Sequence, residues 1–82
     1  MPVPPAELSA HYKIAGPPAA EAAALAVAAP SGIAHEGGPR ETLLAGSRAQ
    51  VLATLGDVVQ AALDAHAHRI DVRLEAPTES RP

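Results

Sequence analysis

The sequence contains no Cys, Phe, Trp or Asn, and Tyr12 is its only aromatic residue. Without Cys there is no disulfide framework, zinc ribbon, thiol nucleophile or soft-metal chaperone site. Without Phe or Trp there are no paired platforms on which single-stranded nucleic acid could stack. Six Lys and Arg against nine Asp and Glu leave a net charge of -3, so a polyphosphate partner is not expected. No apolar run approaches the ~20 residues that cross a bilayer. The opening Met1-Pro2-Val3-Pro4-Pro5 has no basic residue leading into an apolar segment, so no secretory signal is expected and a reduced, cytoplasmic setting is the default.

Large apolar side chains are also scarce. Hydrophobic residues make up 48% of the 82-residue chain, but 20 of them are Ala. Leu, Val and Ile together supply 17 side chains, close to the level of about 20% below which chains tend to stay disordered. A core so lean sits near the balance between burial and ordering entropy, and burial against a second copy would stabilise it.

The hydrophobic period switches several times along the chain. Residues 1–6 are Pro-rich and 77–82 are polar, so both read as extended or flexible tails around a single domain at 7–76. Leu8, Ala10, Tyr12 and Ile14 alternate with Ser9, His11 and Lys13, the period of a half-buried strand. Gly16-Pro17-Pro18 breaks it and presets a helical first turn. Ala19 to Ala29 then reads as a helix whose only charge, Glu21, lies in the first turn, where the helix dipole favours an anion. So apolar a helix is expected to be sandwiched rather than half-exposed. Ile33 to Glu36, a Gly37-Gly38-Pro39 turn and Arg40 to Ala45 read as a hairpin. Ser47 and Gln50 have the spacing of a capping box. Val51, Leu52, Leu55, Val58, Val59, Ala62 and Leu63 follow as one helical stripe. Ile70, Val72, Leu74 and Ala76 alternate with Asp71, Arg73 and Glu75 as the last strand.

The order β-α-β-β-α-β predicts an α+β, ferredoxin-like fold: a four-stranded antiparallel sheet with two helices on one face. The first strand and the second hairpin strand should be central, and the last strand an edge. The open face should carry Ser9, His11, Lys13, Asp71, Arg73 and Glu75. The hairpin phase is ambiguous: Thr42 and Leu44 share one face, and Glu41, Leu43 and Ala45 the other. Three uses of the fold fail on composition. Metal chaperones need paired Cys, RNA-recognition domains need aromatics on the central strands, and an acylphosphatase-type hydrolase needs an Asn with an Arg-lined cradle. Small-ligand binding and self-assembly remain.

One family pattern is visible. Ser31-Gly32-Ile33, Gly38-Pro39, Thr42-Leu43-Leu44-Ala45-Gly46, Val51-Leu52-Ala53-Thr54-Leu55 and Ala65-His66-Ala67-His68-Arg69-Ile70 occur in this order. This set, from Ser31 to Ala76, resembles the small thiamine-binding proteins related to the YkoF-like thiamine/hydroxymethylpyrimidine-binding domains. The first half matches more loosely. Tyr12-Lys13-Ile14 replaces the family's Pro-Leu-Gly, the first helix is about two residues short, and Ser47 stands where an acidic residue often follows the hairpin Gly. The resemblance implies a cytoplasmic, non-enzymatic binder of thiamine or its pyrimidine half, assembled as dimers or tetramers through the sheets, with no cofactor. A cationic aminopyrimidine calls for a carboxylate, a hydroxyl or backbone group, and apolar walls. Glu36 and Glu41 flank the hairpin turn, Thr42 lies on a central strand, and Ser9 and His11 lie on its neighbour; these five are the candidate ligand contacts. Each also has an ordinary role, the Glu residues as solvated hairpin positions and Ser9 and His11 in a sheet-to-sheet interface. Tyr12 reads chiefly as core. His66-x-His68 diverges at a helix end and forms no metal set with His35, and Ser47 is a helix cap rather than a nucleophile. The alternative function is a structural or regulatory oligomerisation module with no small-molecule ligand.

Overall fold

Strand β1, Leu8–Ala15, obeys the period-two pattern. Leu8, Ala10 and Tyr12 are buried under the helices, while Ser9 and His11 are half-buried on the opposite face. The computed structural model describes residues 7–76, so the expected tails at 1–6 and 77–82 lie outside the described residues. Helix α1, Pro18–Ala28, begins from Pro17 and has Pro in its first turn, where the missing N–H has no helical partner to lose. It ends in a 3-10 turn over Ala29–Ser31 and a left-handed Gly32, φ 78°. The Ser31 hydroxyl donates to the Ala28 carbonyl at 2.6 Å and accepts from the Ile33 N–H at 3.2 Å, fastening that exit.

The hairpin pairs β2, Ala34–Gly38, with β3, Glu41–Gly46. The turn falls at Pro39-Arg40 rather than at Gly37-Gly38-Pro39. Arg40 takes the positive φ of 59°, and the two glycines are drawn into β2 at a register irregularity between Glu36 and Gly38. Helix α2, Arg48–Asp64, starts with the expected reciprocal cap. Gln50 N–H donates to Ser47 Oγ at 3.2 Å, and Ser47 N–H donates to Gln50 Oε1 at 3.4 Å. Glu7 adds a carboxylate acceptor for the Arg48 N–H at 2.9 Å, which favours that helix end. Strand β4 covers Arg69–Glu75.

The sheet order is β2-β3-β1-β4, all antiparallel, so the fold is the α+β ferredoxin-like arrangement, with β1 and β3 central and β4 an edge. The hairpin phase is settled by register. Ala10 faces Leu44 and Tyr12 faces Thr42, which puts Leu44 and Thr42 on the helix side and Glu41, Leu43 and Ala45 on the open face. Leu44, Val51 and Val58 are the largest fully buried side chains.

Helix α1 is not sandwiched as its composition predicted. It buries only Ala20, Ala24 and Ala28, and Leu25 is 54% exposed. Small side chains let one face of α1 pack against α2 and the sheet, but no further layer covers the other face. No helix of the described residues is long and apolar enough to cross a membrane.

Two glycine substitutions should act in opposite directions. A Cβ on Gly16, φ 150°, would lie 3.0 Å from Ala67 Cα and 3.1 Å from His68 N. Gly16→Ala should therefore destabilise the fold by about 1–3 kcal/mol. A Cβ on Gly56, inside α2, meets nothing within 4 Å, and Gly56→Ala should stabilise by roughly 0.4–1 kcal/mol. Urea unfolding of the two variants checks both signs.

Candidate functional site

The helix side of the sheet carries a cleft of about 440 Å³ between α1 and the β2–β3 hairpin. Tyr12, Ile14 and Thr42 supply its sheet wall, Glu21, Leu25 and Ala29 its helix wall, and Ala34, Glu36 and Arg40 its hairpin side. Glu21, Leu25 and Ala29 are spaced by four, so they form one helical stripe displaced by one residue from the buried Ala20, Ala24 and Ala28. Two carboxylates border the cleft, from Glu21 and Glu36, against the single guanidinium of Arg40; Glu41 lines its edge but sets its carboxylate on His11 across the sheet. A cation therefore suits the cleft better than an anion.

Tyr12 gives the wall its one unusual group. Its hydroxyl is buried and has no hydrogen-bond partner among the described residues. Burial raises its pKa above the ordinary value, with the neighbouring Thr42 hydroxyl opposing the shift in part while staying outside hydrogen-bonding geometry. A buried hydroxyl left unpaired costs free energy that a polar ligand atom can recover.

The open face is organised differently. His11 Nδ1 lies 2.8 Å from Glu41 Oε2, and its Nε2 lies 3.3 Å from Glu75 Oε1, so one imidazole spans three strands. A shallower depression of about 280 Å³ lies beside it, bordered by Lys13, Asp71 and Arg73.

The five candidate residues therefore do not converge on one site. Glu36 and Thr42 border the cleft, whereas Ser9 and His11 lie on the opposite face of the sheet. Glu41 borders both, with its carboxylate on His11. The reason is parity: Thr42 is opposite Tyr12, while His11 is opposite Leu43, so adjacent strands present these residues to different sides. Sequence reasoning assigned Tyr12 to the core and Glu21 to the helix dipole, and gave Ile14, Leu25 and Arg40 no site role. The four-residue spacing of Glu21, Leu25 and Ala29 was the available signal for the helix wall. Among the described residues no group of three or more His, Asp or Glu is placed to hold a metal ion.

No family model matches the sequence, and no curated protein matches it. A solved structure, that of a domain of unknown function DUF77 from Bacillus cereus, is similar to this chain. Its TM-score is 0.65 at 20% sequence identity, over 88% of this chain and 75% of that one. The similarity establishes a shared fold.

Tyr12→Phe should stabilise the ligand-free protein by up to about 1 kcal/mol, because it removes a buried, unpaired hydroxyl. The raised pKa adds a pH signature. Below the ordinary tyrosine value of 10.0 the folded and unfolded chains both hold the proton. As pH rises past that value the unfolded tyrosine ionises first, so wild-type stability falls there. The gap between variant and wild type should thus widen above about pH 10, as read from melting curves across that range.

Proposed function

We propose that this chain is a non-enzymatic, cytoplasmic binding protein for thiamine or a related hydroxymethylpyrimidine, working as a homo-oligomer, with the cleft between α1 and the hairpin as its ligand site. The observation that carries this reading is the pairing of an apolar wall with the Glu21 and Glu36 carboxylates and an unpartnered tyrosine hydroxyl. An aminopyrimidine offers ring nitrogens and an amino group. Glu36 accepts from the amino group, Thr42 and Tyr12 offer hydroxyls to the ring edge, and Ile14, Leu25 and Ala34 enclose the flat faces. A thiazolium, where present, is drawn by Glu21. The hairpin-to-last-strand sequence pattern and the fold shared with the DUF77 domain support the same reading. Ser9 and His11, on the far side of the sheet, belong in this scheme to a contact between sheets rather than to the ligand.

The second reading is an assembly module that takes no small molecule. The observation in its favour is that His11, the most elaborate polar group of the open face, already faces two carboxylates of its own chain.

Calorimetric titration with thiamine and with hydroxymethylpyrimidine separates the two. Saturable binding is expected for at least one. Glu36→Gln should weaken it by about 10- to 100-fold, the value of a charge-assisted hydrogen bond, and Thr42→Val by several-fold. Ser9→Ala, on the other face, should leave affinity unchanged. Absence of saturable heat for both compounds at millimolar concentration leaves the assembly module as the reading that stands.

A further inference from the structure

The two edges of the sheet are unlike. Strand β2 is short, contains Gly37 and Gly38, and breaks register between Glu36 and Gly38, features that blunt an edge against pairing. Strand β4 has seven residues in unbroken register with β1, contains no proline or glycine, and has no partner on its outer side among the described residues. Its helix-side residues Val72 and Leu74 are 41% and 49% exposed, unusual for the apolar side of a strand with helices on that face.

We infer that β4 pairs antiparallel with β4 of a second copy of this chain, across a two-fold axis at Val72, joining two sheets into one of eight strands. The sequence Arg69-Ile70-Asp71-Val72-Arg73-Leu74-Glu75 complements itself about Val72. In that register Arg69 faces Glu75 of the second copy and Asp71 faces Arg73, each twice by symmetry. On the helix side Ile70 faces Leu74 and Val72 faces itself, which covers the exposed apolar residues. Odd residues meet odd and even meet even, so whichever set turns its N–H and C=O groups outward finds the matching set opposite. A slip of one residue sets charged positions against apolar ones. A slip of two sets Asp71 against Asp71, or Arg73 against Arg73. A slip of four restores opposite charges but pairs only three of the seven residues. The contact runs along the β4 edge, away from the cleft, with Arg69, Asp71, Arg73 and Glu75 at the rim of the open face, and it needs no ligand.

The natural chain contains no Cys, so an introduced thiol reports alone. At the two-fold axis the paired Cα atoms lie about 4.5 or 5.5 Å apart, inside the range of about 4.4–6.8 Å that a disulfide spans. Val72→Cys should cross-link under mild oxidation to twice the 8.3 kDa chain mass. Leu74→Cys, at the more exposed of the two positions, should cross-link several-fold less, because its copies lie about 14 Å apart along the strands. Asp71→Arg should halve the mass seen by light scattering, and adding Arg73→Asp should restore it. A monomeric wild type, equal cross-linking of the two Cys variants, or an assembly indifferent to the charge reversal overturns the inference. A thiamine titration of the same samples shows whether the ligand reading stands independently.

Discussion

Everything in this fold is arranged around a core of very small side chains. Ala10, Ala20, Ala24, Ala28 and Ala62 are at most 1% exposed, and only Leu44, Val51 and Val58 add real bulk to the fully buried set. Alanine lets the two helices approach each other and the sheet closely, and it loses no side-chain entropy on burial. It also supplies little breadth. Helix α2 packs on β1 and β3, and α1 packs along α2 and β1. The flanks of the four-stranded sheet are left short of cover. On the hairpin side the shortfall is the cleft; on the β4 side it is exposed Val72 and Leu74. Cavity and apolar edge are two consequences of one deficit in side-chain volume.

Much of the fold was legible in the sequence because local signals agreed with one another. The alternation in Leu8–Ile14 and in Ile70–Ala76, the Ser47–Gln50 cap and the Gly-Pro-Pro break each fixed one element. Their order then fixed the topology. What the pattern could not carry was coverage. The stripe expected on α2 includes Leu52 and Leu63, which are 47% and 55% exposed, because the stripe is wider than the contact that the sheet offers. The sandwiched α1 failed for the same reason: a helix rich in Ala can leave one face in water at little cost, so its composition does not count its neighbours.

The site was less legible than the fold, and the reason is phase. Glu41-Thr42-Leu43-Leu44 carries apolar residues on both parities, so the hairpin alone did not say which side faced the helices. Only register against β1 decides it, through Ala10 opposite Leu44 and Tyr12 opposite Thr42. Once that is fixed, Thr42 and Glu36 fall on the helix side and His11 on the other. Tyr12 was hidden for a different reason. Its parity made it core, and it is core; what marks it is an unpaired hydroxyl, a property of the packed surroundings that no residue pattern encodes.

The sheet order also determines how the two unfinished flanks relate. The cleft draws on β1, β2, β3 and α1, and β4 contributes nothing to it. Strand β4 lies at the opposite edge from β2, with β3 and β1 between them. Adding strands beyond β4 therefore extends the sheet away from the cleft and leaves its walls unchanged. Linkage requires differential contact: an assembly that touches no ligand-binding group, and a ligand that touches no interface group, have no direct means of altering each other's affinity. Coupling between them must run through β1, the strand both flanks share, where Tyr12 is opposite Thr42 on one side and Val72 on the other.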